Sequence, residues 1–255
     1  MKIVLFGAGN VAYHLGPLLK KKGHKILQVY SPTSKFGKTL ARKLRCEPIH
    51  TISAISKDAD VYILALKDDA IENFVNKLPF IPKLIVHTSG SIGMNVFPKR
   101  IKNTGAFYPL QTFSKNSKIT PKQIPFCIEG SNKKSSANIR KLAKSISPMV
   151  YEINSEKRRI IHVAAVFSNN FTNYLFSLSE KILGENNIKF EILLPLIHET
   201  INKISKEKPK KVQSGPARRN DKAVIKKHMQ LLNSDPVMKN IYALLTNNIM
   251  REYNQ

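Results

Sequence analysis

The stretch from Lys2 to Ala12, "KIVLFGAGNVA", limits the fold more than any other part of the chain. Ile3, Val4, Leu5 and Phe6 form an uninterrupted apolar run, the pattern of a parallel strand buried on both faces. Gly7 follows where a tight turn needs a positive φ, and Gly9 leaves room for another group to approach the backbone. Ala12 stands where a helix must pack closely on the strand. Val11, Leu15, Leu18 and Leu19 then recur at helical spacing, and a second strand runs from Ile26 to Tyr30. Gly-x-Gly alone also serves ordinary tight turns. The order strand, turn, helix, strand makes it a phosphate cradle, because the helix start offers free N–H groups and the positive end of its dipole. A dinucleotide site is therefore predicted at Gly7, Gly9, Asn10 and Val11, joined by Leu66 and Lys67 at the end of a later strand.

The end of the second strand bears on which dinucleotide. An acidic residue there would accept from a ribose 2′-OH and repel a 2′-phosphate. Here the chain reads Ser31-Pro32-Thr33-Ser34-Lys35, and no Asp or Glu occurs before Glu47. Hydroxyls and an ammonium suit a phosphate. Ser31, Ser34 and Lys35 thus favour NADP over NAD, although a Ser/Pro turn on a lysine-rich surface would read similarly.

Apolar runs alternate with helical segments up to about residue 150, with strands expected at 2–7, 25–30, 61–66, 84–88, 104–108 and 125–129, and a short one near 47–49. That alternation predicts an α/β fold, a mainly parallel, doubly wound Rossmann-like sheet. Beyond Tyr151 the pattern becomes helical, over 156–183, 187–206, 220–232 and 236–251. The expected organisation is a nucleotide-binding domain at 1–152 and an all-helical substrate and dimerisation domain at 153–255.

The net charge of +25 invites a nucleic-acid partner. The basic residues are mostly lysine and run along the whole chain, Asn and Ile are also abundant, and no zinc-finger spacing or aromatic RNA-binding signature accompanies them. Codon bias explains the charge as well as selection for nucleic acid does. Cys46 and Cys127 lack metal or redox spacing, so no metal is expected. Met1-Lys2 leads straight into the first strand without a signal peptide, and no apolar run is long enough to span a bilayer. These features predict a cytoplasmic protein without a membrane partner.

Three segments carry candidate chemistry. "HTSGSIG" follows the fifth strand, where hydroxyls and N–H groups of Ser89, Gly90 and Ser91 would hold a substrate oxygen. "HVAAVFSNNFTN" places His162, Asn169 and Asn173 near one helical face. A polar stripe on an otherwise apolar helix needs partners, and a substrate is one. His162 is then the candidate proton donor or acceptor, since imidazole titrates near neutrality, and Asn169 the group that orients the substrate. In "QSGPARRND", Arg218 is placed to clamp a carboxylate, or else to sit solvated beside a helix capped by Asp221. "GAFYPLQTFS", from Gly105 to Ser114, either lines the cleft or merely connects strands.

Together, "GAGNVA", "HTSGS", "YPLQTF", "PFCIEG", "HVAAVFSNNFTN", "PLIHETI" and "SGPARRNDKAVIKKH" resemble, over nearly the full chain, a family of NADP oxidoreductases with a Rossmann-like N-terminal domain and a helical C-terminal domain of unknown function. The layout is more distantly similar to the β-hydroxyacid dehydrogenases, pyrroline-carboxylate reductases and prephenate dehydrogenases. In that wider group a Ser-Gly loop binds substrate, matched here by Ser89, Gly90 and Ser91. A residue of the first inter-domain helix, commonly Lys with Asn, serves catalysis, but no lysine occurs between Lys157 and Lys181. The resemblance implies hydride transfer between NADP(H) and a small carboxylate-bearing oxo, hydroxy or imine substrate, in a homodimer paired through C-terminal helices. The missing lysine keeps a non-catalytic NADP-binding sensor as the alternative.

Overall fold

The computed structural model describes residues 1–32, 34–114 and 119–253; Thr33 and the side chain of Ser34 lie outside the described residues. The strands are β1 (Lys2–Phe6), β2 (Lys25–Tyr30), β3 (Glu47–Ile49), β4 (Val61–Leu64), β5 (Ile85–His87), β6 (Thr104–Pro109), β7 (Phe126–Gly130) and β8 (Val150–Glu152). They form one sheet in the order β3-β2-β1-β4-β5-β6-β7-β8. Every neighbouring pair is parallel except β6 and β7. A parallel return needs a crossover, usually a helix. The described residues between β6 and β7 hold only the 3-10 turn Pro121–Gln123, and the strand comes back antiparallel.

The helices are α1 (Asn10–Lys21), α2 (Ser34–Leu44), α3 (Asp68–Asn76), α4 (Lys133–Ile146), α5 (Ser155–Ala165), α6 (Thr172–Gly184), α7 (Leu194–Ile204), α8 (Pro209–Val212), α9 (Lys222–Leu231) and α10 (Pro236–Tyr253). Alternate residues of β1 feed the two sides of the sheet, as a period of two requires. Ile3 and Leu5 join Leu15 and Leu19 of α1 and Leu142 and Ile146 of α4. Val4 and Phe6 join Ile71, Phe74 and Val75 of α3 on the other side. Burying each such aliphatic or aromatic side chain contributes about 1.5–3 kcal/mol.

The chain divides into two compact units, Met1–Asn170 and Phe171–Gln255. The first reaches past the boundary expected at residue 152, because α5 is tied to the sheet through the ion pair of Arg158 with Glu129 of β7. The helix expected over 156–183 is interrupted by a π turn at Val166–Phe171. In the second unit Asp221 and Asp235 cap α9 and α10 by accepting from the N–H groups of Val224 and Met238 at 3.1 and 2.9 Å. Strand order reverses at β1, whose neighbours are β2 and β4, so the carboxyl ends of β1 and β4 open the crevice where such folds take ligands. No described helix is long and apolar enough to cross a membrane. Among the described residues no cluster of His, Cys, Asp or Glu is arranged to hold a metal ion.

Candidate functional site

At that crevice Gly7 adopts φ +102°, and a Cβ on it would lie 2.2 Å from the carbonyl oxygen of Ala65. Only glycine satisfies both demands. Leu66 lies against the same point, 3.5 Å from the built Cβ, and Lys67 is exposed at the start of α3. Gly9 faces open space, with nothing within 4 Å of its built Cβ. It opens α1 without a side-chain cap, and the first turn, with Asn10 and Val11, carries no acid. The turn is therefore an uncapped set of N–H donors beside an empty approach, which fits a pyrophosphate.

Ser31 ends β2 and is buried. Its N–H donates to the carbonyl of Ile49 at 3.1 Å, and its own carbonyl accepts from His50 Nδ1 at 2.8 Å. Lys35 is exposed on α2.

A cavity of about 400 Å³ begins at the first turn of α1, where Val11 contributes to its wall. His162 and Asn169 line it together with Tyr108, Gln111 and Thr112. Tyr108 Oη lies 3.0 Å from His162 Nδ1, the two rings meeting edge to face. Burial, opposed by the nearby Arg158 charge, pushes the Tyr108 phenol up to about 12. It stays neutral at working pH, and a neutral phenol can donate to Nδ1 or accept from it, so the contact holds the ring in either tautomer. The segment from Gly105 to Ser114, which the sequence leaves open, supplies both a strand and this wall.

The loop after β5 is held by its own hydrogen bonds. Ser89 Oγ accepts from the N–H groups of Ser91 and Ile92 at 3.0 and 3.1 Å, so it holds its own turn. Ser91 is exposed. Gly90 packs beneath the pair: a Cβ there would stand 2.7 Å from His162 Nδ1 and 2.8 Å from Tyr108 Cζ. None of the three lines the cavity, whereas Thr88 just before them does. His87 is fully buried, and its Nδ1 accepts from the N–H of Ser89 at 3.3 Å. Burial, then the nearby Arg158 charge, lowers it to about 3, so it stays neutral.

Asn173 and Arg218 belong to the second unit. Asn173 is exposed on α6. A π turn holds more residues than an α turn, so the 3.6-residue count aligning Asn173 with His162 does not carry through Val166–Phe171. The Arg218 guanidinium donates to the carbonyl of Gln213 and lies 5.5 Å from the centre of the Tyr253 ring.

Sequence reasoning missed the strut beneath the site. Arg158 is fully buried. It donates from Nη1 to Glu129 Oε2 and from Nη2 to the carbonyl of Ile92, both at 2.6 Å. Ser155 Oγ donates to the same carboxylate oxygen at 2.7 Å and accepts from the N–H of Met94 at 3.2 Å. One residue thus locks α5 to β7 and to the loop after β5, one helical turn before His162.

Residues 2–89 match the family described as NADP oxidoreductase, coenzyme F420-dependent, and residues 124–249 match a domain of unknown function, DUF2520. The crystal structure of a putative NADP oxidoreductase from Bacteroides fragilis is 40% identical, with 98% of each chain covered and a TM-score of 0.92. A 1-pyrroline-5-carboxylate reductase from Streptococcus pyogenes shares the fold at 16% identity, 98% of each chain covered and a TM-score of 0.66. So does an imine reductase from Myxococcus stipitatus in complex with NADP+, at 13% identity, 98% of this chain and 92% of that one covered, and a TM-score of 0.67. No curated protein matches the sequence.

Proposed function

The chain belongs to the NADP oxidoreductase family, and from that premise we propose that His162, backed by Tyr108, moves the proton that accompanies hydride transfer to or from a small oxo, hydroxy or imine substrate. The observation that carries this reading is the 3.0 Å contact between Tyr108 Oη and His162 Nδ1 in the wall of a cavity that starts at α1. Gly7, Gly9, Asn10 and Val11 would hold the pyrophosphate, and Ser31, Ser34 and Lys35 the 2′-phosphate. Bound NADP(H) supplies or takes the hydride. In the reducing direction the substrate carbon gains the hydride and its oxygen or nitrogen gains a proton. His162 gives that proton from Nε2 of its charged form, with Nδ1–H donating to the Tyr108 hydroxyl oxygen, and is left as the neutral ring. Asn169 orients the substrate through its amide. A carboxylate on the substrate fits a chain of net charge +25, whose field draws anions. The test is NADPH oxidation, followed by absorbance, across a panel of oxo acids and cyclic imines. Turnover of at least one panel member is the expected result, and oxidation at the buffer rate with every one of them refutes the assignment.

We also propose a homodimer formed through the second unit. Among its described residues only Ala217, Met238 and Thr246 are buried. Ile192, Leu196, Ile201, Leu231 and Leu244 are all more than half exposed. A groove of about 250 Å³ between α6 and α7 is lined by Phe176, Leu193, Leu196, Ile197 and Ile201. Apolar helical faces of this extent need cover. Light scattering at micromolar concentration should give twice the chain mass of 28.8 kDa, and a monomer there excludes the dimer. We propose a cytoplasmic setting, in which the free thiols Cys46 and Cys127 would stay reduced.

A further inference from the structure

His50 follows β3 and stands beside the end of β2. Its Nδ1 lies 2.8 Å from the carbonyl oxygen of Ser31. A carbonyl only accepts, so Nδ1 carries a hydrogen whatever the charge of the ring. The neutral and charged rings then differ at Nε2. In the neutral ring it presents a lone pair, which repels a phosphate oxygen. In the charged ring it presents an N–H donor and a positive charge, which attract one. Among the described residues nothing takes up Nε2. The ring also reaches the start of α2. A Cβ built on Gly37 would lie 2.8 Å from Ser31 Cβ, 3.6 Å from Ser31 Oγ and 3.8 Å from His50 Cε1. Three elements thus converge where the second ribose of a dinucleotide is read in this fold.

We infer that His50, in its charged form, is a ligand of the NADP 2′-phosphate and makes the preference for NADP over NAD depend on pH. This rests on the reading that NADP occupies the Gly7–Val11 turn. The charged groups on the elements around His50 are Lys35, Lys38, Arg42 and Lys43 of α2, Lys25 of β2 and Glu47 of β3, whose Oε2 accepts from Gln28 at 2.7 Å. Tyr30 of β2 is the neighbouring phenol. Carboxylates, phenols and ammonium groups ordinarily titrate outside the range pH 6.5–8.5, which leaves imidazole as the titrating group. The 2′-phosphate, with a second pKa of about 6, is largely dianionic throughout. NADP affinity is therefore highest while His50 is charged and falls as rising pH removes that charge.

Calorimetric titration of the full chain with NADP+ and NAD+ at pH 6.5 and 8.5 tests this. A histidine raised by one unit weakens NADP+ about fivefold between those pH values and leaves NAD+ nearly constant. In His50→Gln, which keeps hydrogen-bonding capacity but cannot become charged, NADP+ binding at pH 6.5 drops by about the same factor and its pH dependence disappears. Unchanged NAD+ affinity in that variant shows that the site is still folded. The inference is overturned if His50→Gln binds NADP+ as the unmodified chain does, or if NADP+ and NAD+ follow one pH course. Binding of neither cofactor by the unmodified chain overturns the NADP reading as well, so the two failures are distinct.

Discussion

Replacing His162 with alanine is expected to slow turnover of a substrate found in the panel by about 10²–10⁴-fold, the usual contribution of a positioned acid or base. NADP(H) affinity should scarcely change, because the cofactor turn at Gly7 and Gly9 is built from other residues. Tyr108→Phe removes only the hydroxyl 3.0 Å from Nδ1. It should cost less than the alanine change, since the imidazole stays in place and loses only the hydroxyl that orients it. Steady-state kinetics on the three proteins, with cofactor binding measured alongside, decides the matter. A His162→Ala enzyme that turns over at the normal rate removes His162 from the chemistry.

The second large effect concerns stability. Arg158→Ala leaves the Glu129 carboxylate without its cation and the Ile92 carbonyl without its donor. Breaking a buried ion pair from one side costs about 3–5 kcal/mol. Glu129 keeps a fifth of its side-chain surface in solvent, so the lower end applies. Denaturant unfolding should show a loss of about 3 kcal/mol, and a loss below about 1 kcal/mol would show that the strut bears little. Arg158→Met with Glu129→Leu should be milder than Arg158→Ala, because no lone charge then remains inside.

The sheet was legible from the sequence because its strands are apolar runs set between helical patterns. Lys2–Phe6 and Val61–Leu64 are buried almost completely, and burial on both faces writes itself into composition. β8 was not legible: Val150–Glu152 is a three-residue edge strand, largely exposed, and nothing in its composition separates it from a loop. The glycine turn could be read because φ and close approach restrict the residue type. Tyr108 could not be singled out, since a tyrosine in a strand is ordinarily core, and its role appears only when His162 arrives from 54 residues away. Arg158 was hidden for another reason. It sits in "EKRRIIH" among other charged side chains, and one-dimensional pattern cannot say which of two adjacent arginines turns inward. At Asn173 helical periodicity had been extended across a π turn that no residue in "VFSNNF" announces.

The uncapped start of α1 has a thermodynamic consequence. Its first N–H groups have no side-chain acceptor and are open to an anionic ligand. Whatever binds there stabilises only the folded state, by about 2.7 kcal/mol at a hundredfold excess over its dissociation constant. The lifetime of the chain in a cell is thereby tied to the local supply of its cofactor. A fall in NADP(H) would reach this enzyme twice, first as lost turnover and then as a larger unfolded fraction open to proteolysis.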